Sequence, residues 1–280
     1  MPEIVFSKAQ GLGNDFIIVD CQLNRMDDVN PSDLAVKMCD RNFGVGADGL
    51  IFVHPSRIAD YRMQIINSDG SEPEMCGNGI RCFARYLLDH GKGRTPLQVE
   101  TLAGILKVEL VMDGVRTTGF TVNMGSPRLS AEEIPVAGVQ GQVVGHEIDV
   151  DGTSYKITCV SMGNPHCIVF TDSLDEVPLT TIGPKIEKHY AFPKKTNVEF
   201  VQVLKDDEIS VRVWERGAGV TLACGTGACA SLVASVLNGR TGRAATVHLP
   251  GGDLKIEWCE SGEIFMTGPA EEVFTGKYGT

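Results

Sequence analysis

Positive charge is scarce in this chain: 25 Lys and Arg stand against 36 Asp and Glu, a formal net charge of −11. No polybasic run is present to neutralise phosphates, so nucleic acid and anionic membrane are not expected partners. Long apolar runs are missing too. Gly or a charge breaks each of them well before the roughly 20 residues that a spanning helix requires. The first residues, MPEIVFSKAQ, have neither the basic-then-apolar layout of a secretory signal nor the Arg/Ser bias of a transit peptide. The expected setting is the cytosol, or an organelle stroma if a targeting segment has been removed. Nine cysteines occur, but none in a C-x2-C pair, and no His-x3–5-His pair accompanies them. A structural zinc site is therefore not expected, and an odd count argues for reduced thiols over a disulfide scaffold.

What the chain does have is bulk and internal repetition. At 280 residues and 42% apolar, it is long enough for two domains with buried cores. Sliding the sequence along itself lays Met75-Cys76-Gly77-Asn78-Gly79 onto Ala223-Cys224-Gly225-Thr226-Gly227, 148 residues later. The same offset carries Leu106-Lys107-Val108-Glu109 onto Leu254-Lys255-Ile256-Glu257 and Phe52-Val53 onto Phe200-Val201. Gly13-Asn14 matches Gly163-Asn164 at an offset of 150, so a small indel intervenes. The division expected from this is a first half over 1–118 and a second half that begins at 119.

Periodicity predicts mostly strands, among them Asp15–Cys21, Tyr61–Asn67, Gln98–Leu110, Asn197–Val203 and Glu208–Glu215. Helices are predicted over Pro31–Cys39, capped by Asn30, and over Gly79–His90 and Gly227–Asn238, stopped by Gly91 and Gly239. Each half thus carries one well-buried helix that starts at the repeated Cys-Gly-x-Gly.

A cysteine at a helix start meets unpaired N–H groups and the positive end of the helix dipole, which predicts a thiol pKa lowered toward neutrality. The bare backbone at Gly77, Gly79, Gly225 and Gly227 lets amides approach an anion such as a substrate carboxylate. Two such thiols, one on each wall of a cleft, could remove a proton from one face of a carbon and replace it on the other. That is inversion of a stereocentre by two-base catalysis, for which a pKa near ambient pH is suited. A binding module without catalysis would need only the N–H groups and not both sulfurs. The other seven cysteines read as small buried hydrophobes. Gly44-Val45-Gly46-Ala47-Asp48-Gly49 matches G-x-G-x-x-G in letters, but a helix precedes it and a strand follows, so it reads as a tight turn and not a dinucleotide site.

At these residues the chain resembles the diaminopimelate epimerase family. The match spans nearly the whole chain: Gly11-Leu12-Gly13-Asn14-Asp15-Phe16, Asn67-Ser68-Asp69-Gly70-Ser71-Glu72, Ser161-Met162-Gly163-Asn164-Pro165-His166-Cys167, Thr196-Asn197-Val198-Glu199-Phe200, Trp214-Glu215-Arg216-Gly217, and both Cys-Gly-x-Gly segments. The resemblance implies an α+β fold of two pseudo-symmetric halves, each a β-barrel around a central helix, with residues 268–280 crossing back to the first half so that the second covers 119–267. It implies interconversion of LL- and meso-2,6-diaminopimelate without a cofactor or metal, a small-molecule substrate, and a homodimer. Carried over residue by residue, Cys76 and Cys224 are the acid/base thiols, with His166 and Glu215 tuning them. Backbone amides of Gly77, Asn78, Gly225 and Thr226 hold the reacting carboxylate. Asn14, Asn67, Asn164, Asn197, Glu215 and Arg216 hold the rest of the substrate. One departure stands out: some members place glutamine where this chain has Gly49.

The alternative is a related racemase acting on proline or hydroxyproline. Those families tend to carry Cys-Gly-His-Gly at the first thiol, where Asn78 stands here, and lack the Trp214-Glu215-Arg216 set. The phenazine-biosynthesis-like isomerases, also related, lack the thiol pair.

Overall fold

The computed structural model describes residues 3–26 and 29–279. Met1 and Pro2 of the N-terminal segment, and Thr280 at the end of the returning segment, lie outside the described residues. Contacts divide the chain into two compact units, one running to Val122 and resuming at Gly268, the other Asn123–Thr267. The 118/119 division expected from sequence falls inside a strand.

In the first unit, β1 (Glu3–Gly11) turns at Leu12-Gly13, both at positive φ, into antiparallel β2 (Asn14–Asp20). Helix α1 (Pro31–Cys39) crosses over to β3 (Gly49–Pro55), which pairs parallel with β2 and antiparallel with β4 (Tyr61–Asn67). Helix α2 (Gly77–Asp89) then crosses to β5 (Leu97–Thr101), parallel to β4, and β6 (Gly104–Asp113) and β7 (Arg116–Asn123) follow as an antiparallel meander.

The second unit repeats this order. Strand β8 (His146–Val150) pairs with β9 (Thr153–Ser161), which pairs with β10 (Pro165–Phe170). Helix α3 (Leu179–Glu187) crosses to β11 (Asn197–Lys205), parallel to β10 and antiparallel to β12 (Glu208–Glu215). The short β13 (Gly219–Thr221) pairs back onto β12. Helix α4 (Gly225–Leu237) crosses to β14 (Ala244–Leu249), parallel to β12, followed by antiparallel β15 (Gly252–Trp258) and β16 (Ile264–Gly268). The last strand, β17 (Glu271–Gly279), belongs to the first unit and lies antiparallel to β1.

Each unit is a β-barrel curved around its long helix. Helix α2 packs on β1, β2, β3, β4 and β17, and α4 on β9, β10, β11, β12, β14 and β15. This is why both helices are apolar on more than one face: Gly77 to Ala84 and Gly227 to Ser235 are buried throughout. Among the described residues no helix is long and apolar enough to cross a membrane.

Some expectations shift. Helix α1 has the predicted bounds, its first turn held by Asn30, whose side chain accepts from the Ser32 and Asp33 N–H groups. Residues 98–110 are two strands, because the chain reverses at Leu102-Ala103 ahead of Gly104 at φ +112°. Helix α3 was not expected. Pro184 lies inside it and Pro178 at its start offers no side-chain cap, so it shows none of the usual start and stop signals. Gly44–Gly49 forms the loop between α1 and β3. A Cβ at Gly44 would lie 2.3 Å from the Lys37 carbonyl oxygen, so that glycine serves backbone crowding.

Candidate functional site

The first N–H groups of a helix have no partner within it, so an acceptor at the N-cap meets two or three free donors. In both units that acceptor is a cysteine sulfur. Cys76 caps α2 and Cys224 caps α4, each with extended backbone. The Gly79 N–H donates to the Cys76 Sγ at 3.4 Å, and the Gly227 N–H to the Cys224 Sγ, also at 3.4 Å. The helices begin two residues earlier than periodicity predicts, because Gly77 and Gly225 already have helical geometry.

In the first unit Asn14, Cys76 and Asn78 come together. The Cys76 thiol donates to the Asn14 Oδ1 at 3.9 Å, and the Asn78 Nδ2 donates to the same oxygen at 3.1 Å. Both amides are held from behind. The fully buried Arg81 donates to the Asn78 Oδ1 at 2.9 Å, and the Asn14 Nδ2 donates to Asp48 at 2.6 Å. Arg41 bridges Asp48 and Asp15, and Lys8 reaches Asp15 and the Gly46 carbonyl. Burial works against the Asp15 carboxylate, but hydrogen bonds from Arg41 and Lys8 outweigh it and hold its pKa below the usual value. Asn67 ends β4, its Nδ2 donating to the Ser71 Oγ at 2.9 Å. Gly49 pairs with Asn67 and with Phe16, and a Cβ there would lie 3.0 Å from the Ile66 carbonyl oxygen. The glycine thus matches its crowded surroundings.

In the second unit a chain of hydrogen bonds ends on the other thiol. The Glu199 Oε1 lies 2.7 Å from the His166 Nδ1, and the His166 Nε2 lies 3.0 Å from the Asn164 Oδ1. The Asn164 Nδ2 donates to the Thr226 Oγ1 at 3.3 Å, and that hydroxyl lies 3.5 Å from the Cys224 Sγ. His166 and Glu199 are fully buried. Glu215 accepts from the Thr221 hydroxyl at 2.5 Å. Both ends of the Asn197 amide are engaged with backbone: its Nδ2 donates to the Pro165 carbonyl at 2.9 Å, and its Oδ1 accepts from the Arg216 N–H at 2.8 Å. The Arg216 guanidinium is exposed and donates to the Lys194 carbonyl.

The expectation of a lowered pKa fails at Cys224. Burial pushes this thiol well above the ordinary cysteine value, and the carboxylates of Glu215 and Glu199 push it further. The Thr226 hydroxyl and the Gly227 N–H pull the other way and lose, because a helix start acts weakly against desolvation and two nearby negative charges. Cys224 therefore rests as a thiol.

Sequence reasoning missed Glu199, Arg81, Asp48 and Glu187. The last is buried at the end of α3, accepting from the Trp214 Nε1 at 2.8 Å and the Gly217 N–H at 3.3 Å, and so holds the turn that carries Glu215 and Arg216. A signal for Glu199 existed: the 148-residue offset lays it on Ile51, a charge over a hydrocarbon in the middle of an apolar strand. Among the described residues no group of three or more His, Cys, Asp and Glu is arranged to hold a metal ion.

Comparison with known proteins places these features in a family. A family model described as diaminopimelate epimerase matches residues 6–130 and 158–273. The chain is 58% identical over 277 residues to the diaminopimelate epimerase of Pelotomaculum thermopropionicum, covering 98% of both chains. It is 54% identical over 276 residues to that of Heliobacterium modesticaldum, covering 97% of this chain and 98% of the other. Among solved structures, the fold is shared with a PhzF-family phenazine biosynthesis protein of Bacillus anthracis, at a TM-score of 0.73, 18% identity and full coverage of both chains. It is also shared with a probable proline racemase of Agrobacterium radiobacter K84, at a TM-score of 0.68 and 15% identity, covering 98% of this chain and 92% of that one.

Proposed function

The chain belongs to the diaminopimelate epimerase family, and we propose that it interconverts LL- and meso-2,6-diaminopimelate by exchanging the α-proton between Cys76 and Cys224. One observation carries the two-thiol reading. Each of two pseudo-equivalent buried helices is capped by a cysteine whose sulfur takes the N–H of the second following glycine, in matching geometry.

On this reading the thiolate of one cysteine takes the α-proton from one face and becomes a thiol. The electron pair left on carbon delocalises into the adjoining carboxylate. The thiol of the other cysteine gives its proton to the opposite face and becomes the thiolate. Protons balance, and the reverse reaction begins from the exchanged pair. The backbone amides of Gly77, Asn78, Gly225 and Thr226, near the two helix starts, stabilise the charge that develops on the carboxylate. Asn14, Asn67, Asn164, Asn197, Glu215 and Arg216 grip the substrate and fix its α-carbon, with Arg216 suited to a distal carboxylate. His166 and Glu215 tune the thiols. A cytosolic homodimer completes the proposal, and sedimentation of the purified protein tests the dimer.

The test is incubation in deuterated water without added cofactor, with LL-diaminopimelate and separately with L-proline. Label at the α-carbon of diaminopimelate alone is expected; label in proline would move the reading to the racemase. Cys76→Ser and Cys224→Ala should each lower turnover by about 10²–10⁴-fold, the usual contribution of a general acid or base. Full activity in either variant removes the two-thiol mechanism.

A further inference from the structure

Duplication placed the same helix start in both units but built different floors beneath it. A Cβ on Gly79 would meet the Cδ1 atoms of Ile65 and Ile51 at 3.2 and 3.3 Å, so hydrocarbon underlies the first turn of α2. A Cβ on Gly227, the matching residue of α4, would lie 2.7 Å from the Glu199 Oε1 and 3.2 Å from the Cys224 Sγ. Carboxylate and sulfur thus press on the same glycine. The neighbouring strand changes in step: Phe16 of β2 faces Gly49 across the parallel pair, whereas His166 of β10 faces Asn197.

Burying a carboxylate is costly without partners, and Glu199 is only half-provided. Its Oε1 has His166, while its Oε2 has no hydrogen-bond partner among the described residues. A glutamate placed there for stability alone would have both oxygens satisfied. The ring of His166 links this carboxylate to Asn164, its Nδ1 lying 2.7 Å from the Glu199 Oε1 and its Nε2 3.0 Å from the Asn164 Oδ1. The ring thereby tethers the carboxylate at one side of the α4 start.

We propose that Glu199 is a positioning residue of the second thiol, its carboxylate, tethered by His166, holding Cys224 in the protonated form so that Cys224 enters the reaction as the acid. This rests on the two-thiol reading above. The ionisable groups facing Cys224 are Glu199 from β11, Glu215 from β12 and, through Asn164 and Thr226, His166 from β10. Both carboxylates raise the thiol and the Thr226 hydroxyl lowers it. The first unit has Ile51 where Glu199 stands, and its Cδ1 lies beside Gly79 as the Glu199 Oε1 lies beside Gly227.

Glu199→Gln tests the proposal, since it keeps shape and hydrogen-bonding ability while removing the charge. The readouts are the pH dependence of Cys224 alkylation by iodoacetamide, located by peptide mass mapping, and the pH profile of kcat/KM. The Cys224 alkylation midpoint should fall by about one pH unit or more, as expected for losing one nearby charge. The alkaline limb of kcat/KM, which reports the essential acid of the free enzyme, should move down with it. A role in folding alone would lower the height of the profile and leave both midpoints in place, which overturns the proposal. Glu199→Ile, which copies the first unit, keeps the test available if the glutamine variant does not fold, because apolar replacements of buried charges are often tolerated. Cys224→Ala separates the two levels. An active Cys224→Ala sinks the two-thiol reading, whereas an inactive one beside unmoved midpoints in Glu199→Gln sinks only the role of Glu199.

Discussion

Replacing Gly227 by alanine, with Gly79→Ala as its matched control, probes the two helix starts with one added methyl each. Alanine in place of glycine favours a helix by up to about 1 kcal/mol. At Gly79 the new Cβ would meet the side-chain tips of Ile65 and Ile51, which can shift by a few tenths of an ångström, and the Cys76 Cβ at an ordinary 3.4 Å, so most of that gain survives. At Gly227 it would lie 2.7 Å from the Glu199 Oε1 and 3.2 Å from the Cys224 Sγ. Glu199 cannot retreat without breaking its bond to His166, and overpacking of this kind costs about 1–3 kcal/mol. Gly227→Ala should therefore be about 1–3 kcal/mol less stable than Gly79→Ala. For a domain of roughly 150 residues or more that corresponds to a Tm difference of about 2–12 °C, measurable by thermal denaturation of both variants at one pH. Epimerisation should fall more in Gly227→Ala than in the control. If the Gly227 variant melts at or above the Gly79 variant, the packing of carboxylate and sulfur against this glycine is wrong, and with it the contrast between the two floors.

Two further outcomes are expected. Burial pushes the Cys39 and Cys82 thiols up to about 12, and Cys224 and Cys167 also rise. The folded state then holds protons that the unfolded chain releases near pH 8.5, so this stabilisation is complete below that pH and is lost as pH climbs toward 12. At pH 10 the loss is about 2 kcal/mol for each of Cys39 and Cys82, and equal urea midpoints at pH 7.5 and 10 would contradict it. Glu187→Ala removes the acceptor of both the Trp214 indole N–H and the Gly217 N–H. Steady-state kinetics should show KM for diaminopimelate raised about tenfold with a smaller change in kcat, since the turn carrying Arg216 loosens; an unchanged KM would detach Glu187 from the site.

The repeat, the two helix starts and α1 were legible in the residues because they rest on local chemistry. Asn30 before Pro31, Gly91 and Gly239 after the long helices, and cysteine followed by helical glycines each act within a few residues of themselves. Helix α3 was hidden by its prolines, and β17 by its exposure, which leaves little apolar alternation to read.

The order of residues by itself determined that two similar halves would each present a thiol at the head of a buried helix. Only the tertiary structure decided that hydrocarbon lies beside one helix start and a carboxylate beside the other. The carboxylates of Glu199 and Glu215 reach Cys224 from separate strands, and burial removes the water that would have screened them. Desolvation and through-space charge depend on which strands become neighbours, and no local pattern of residues records that.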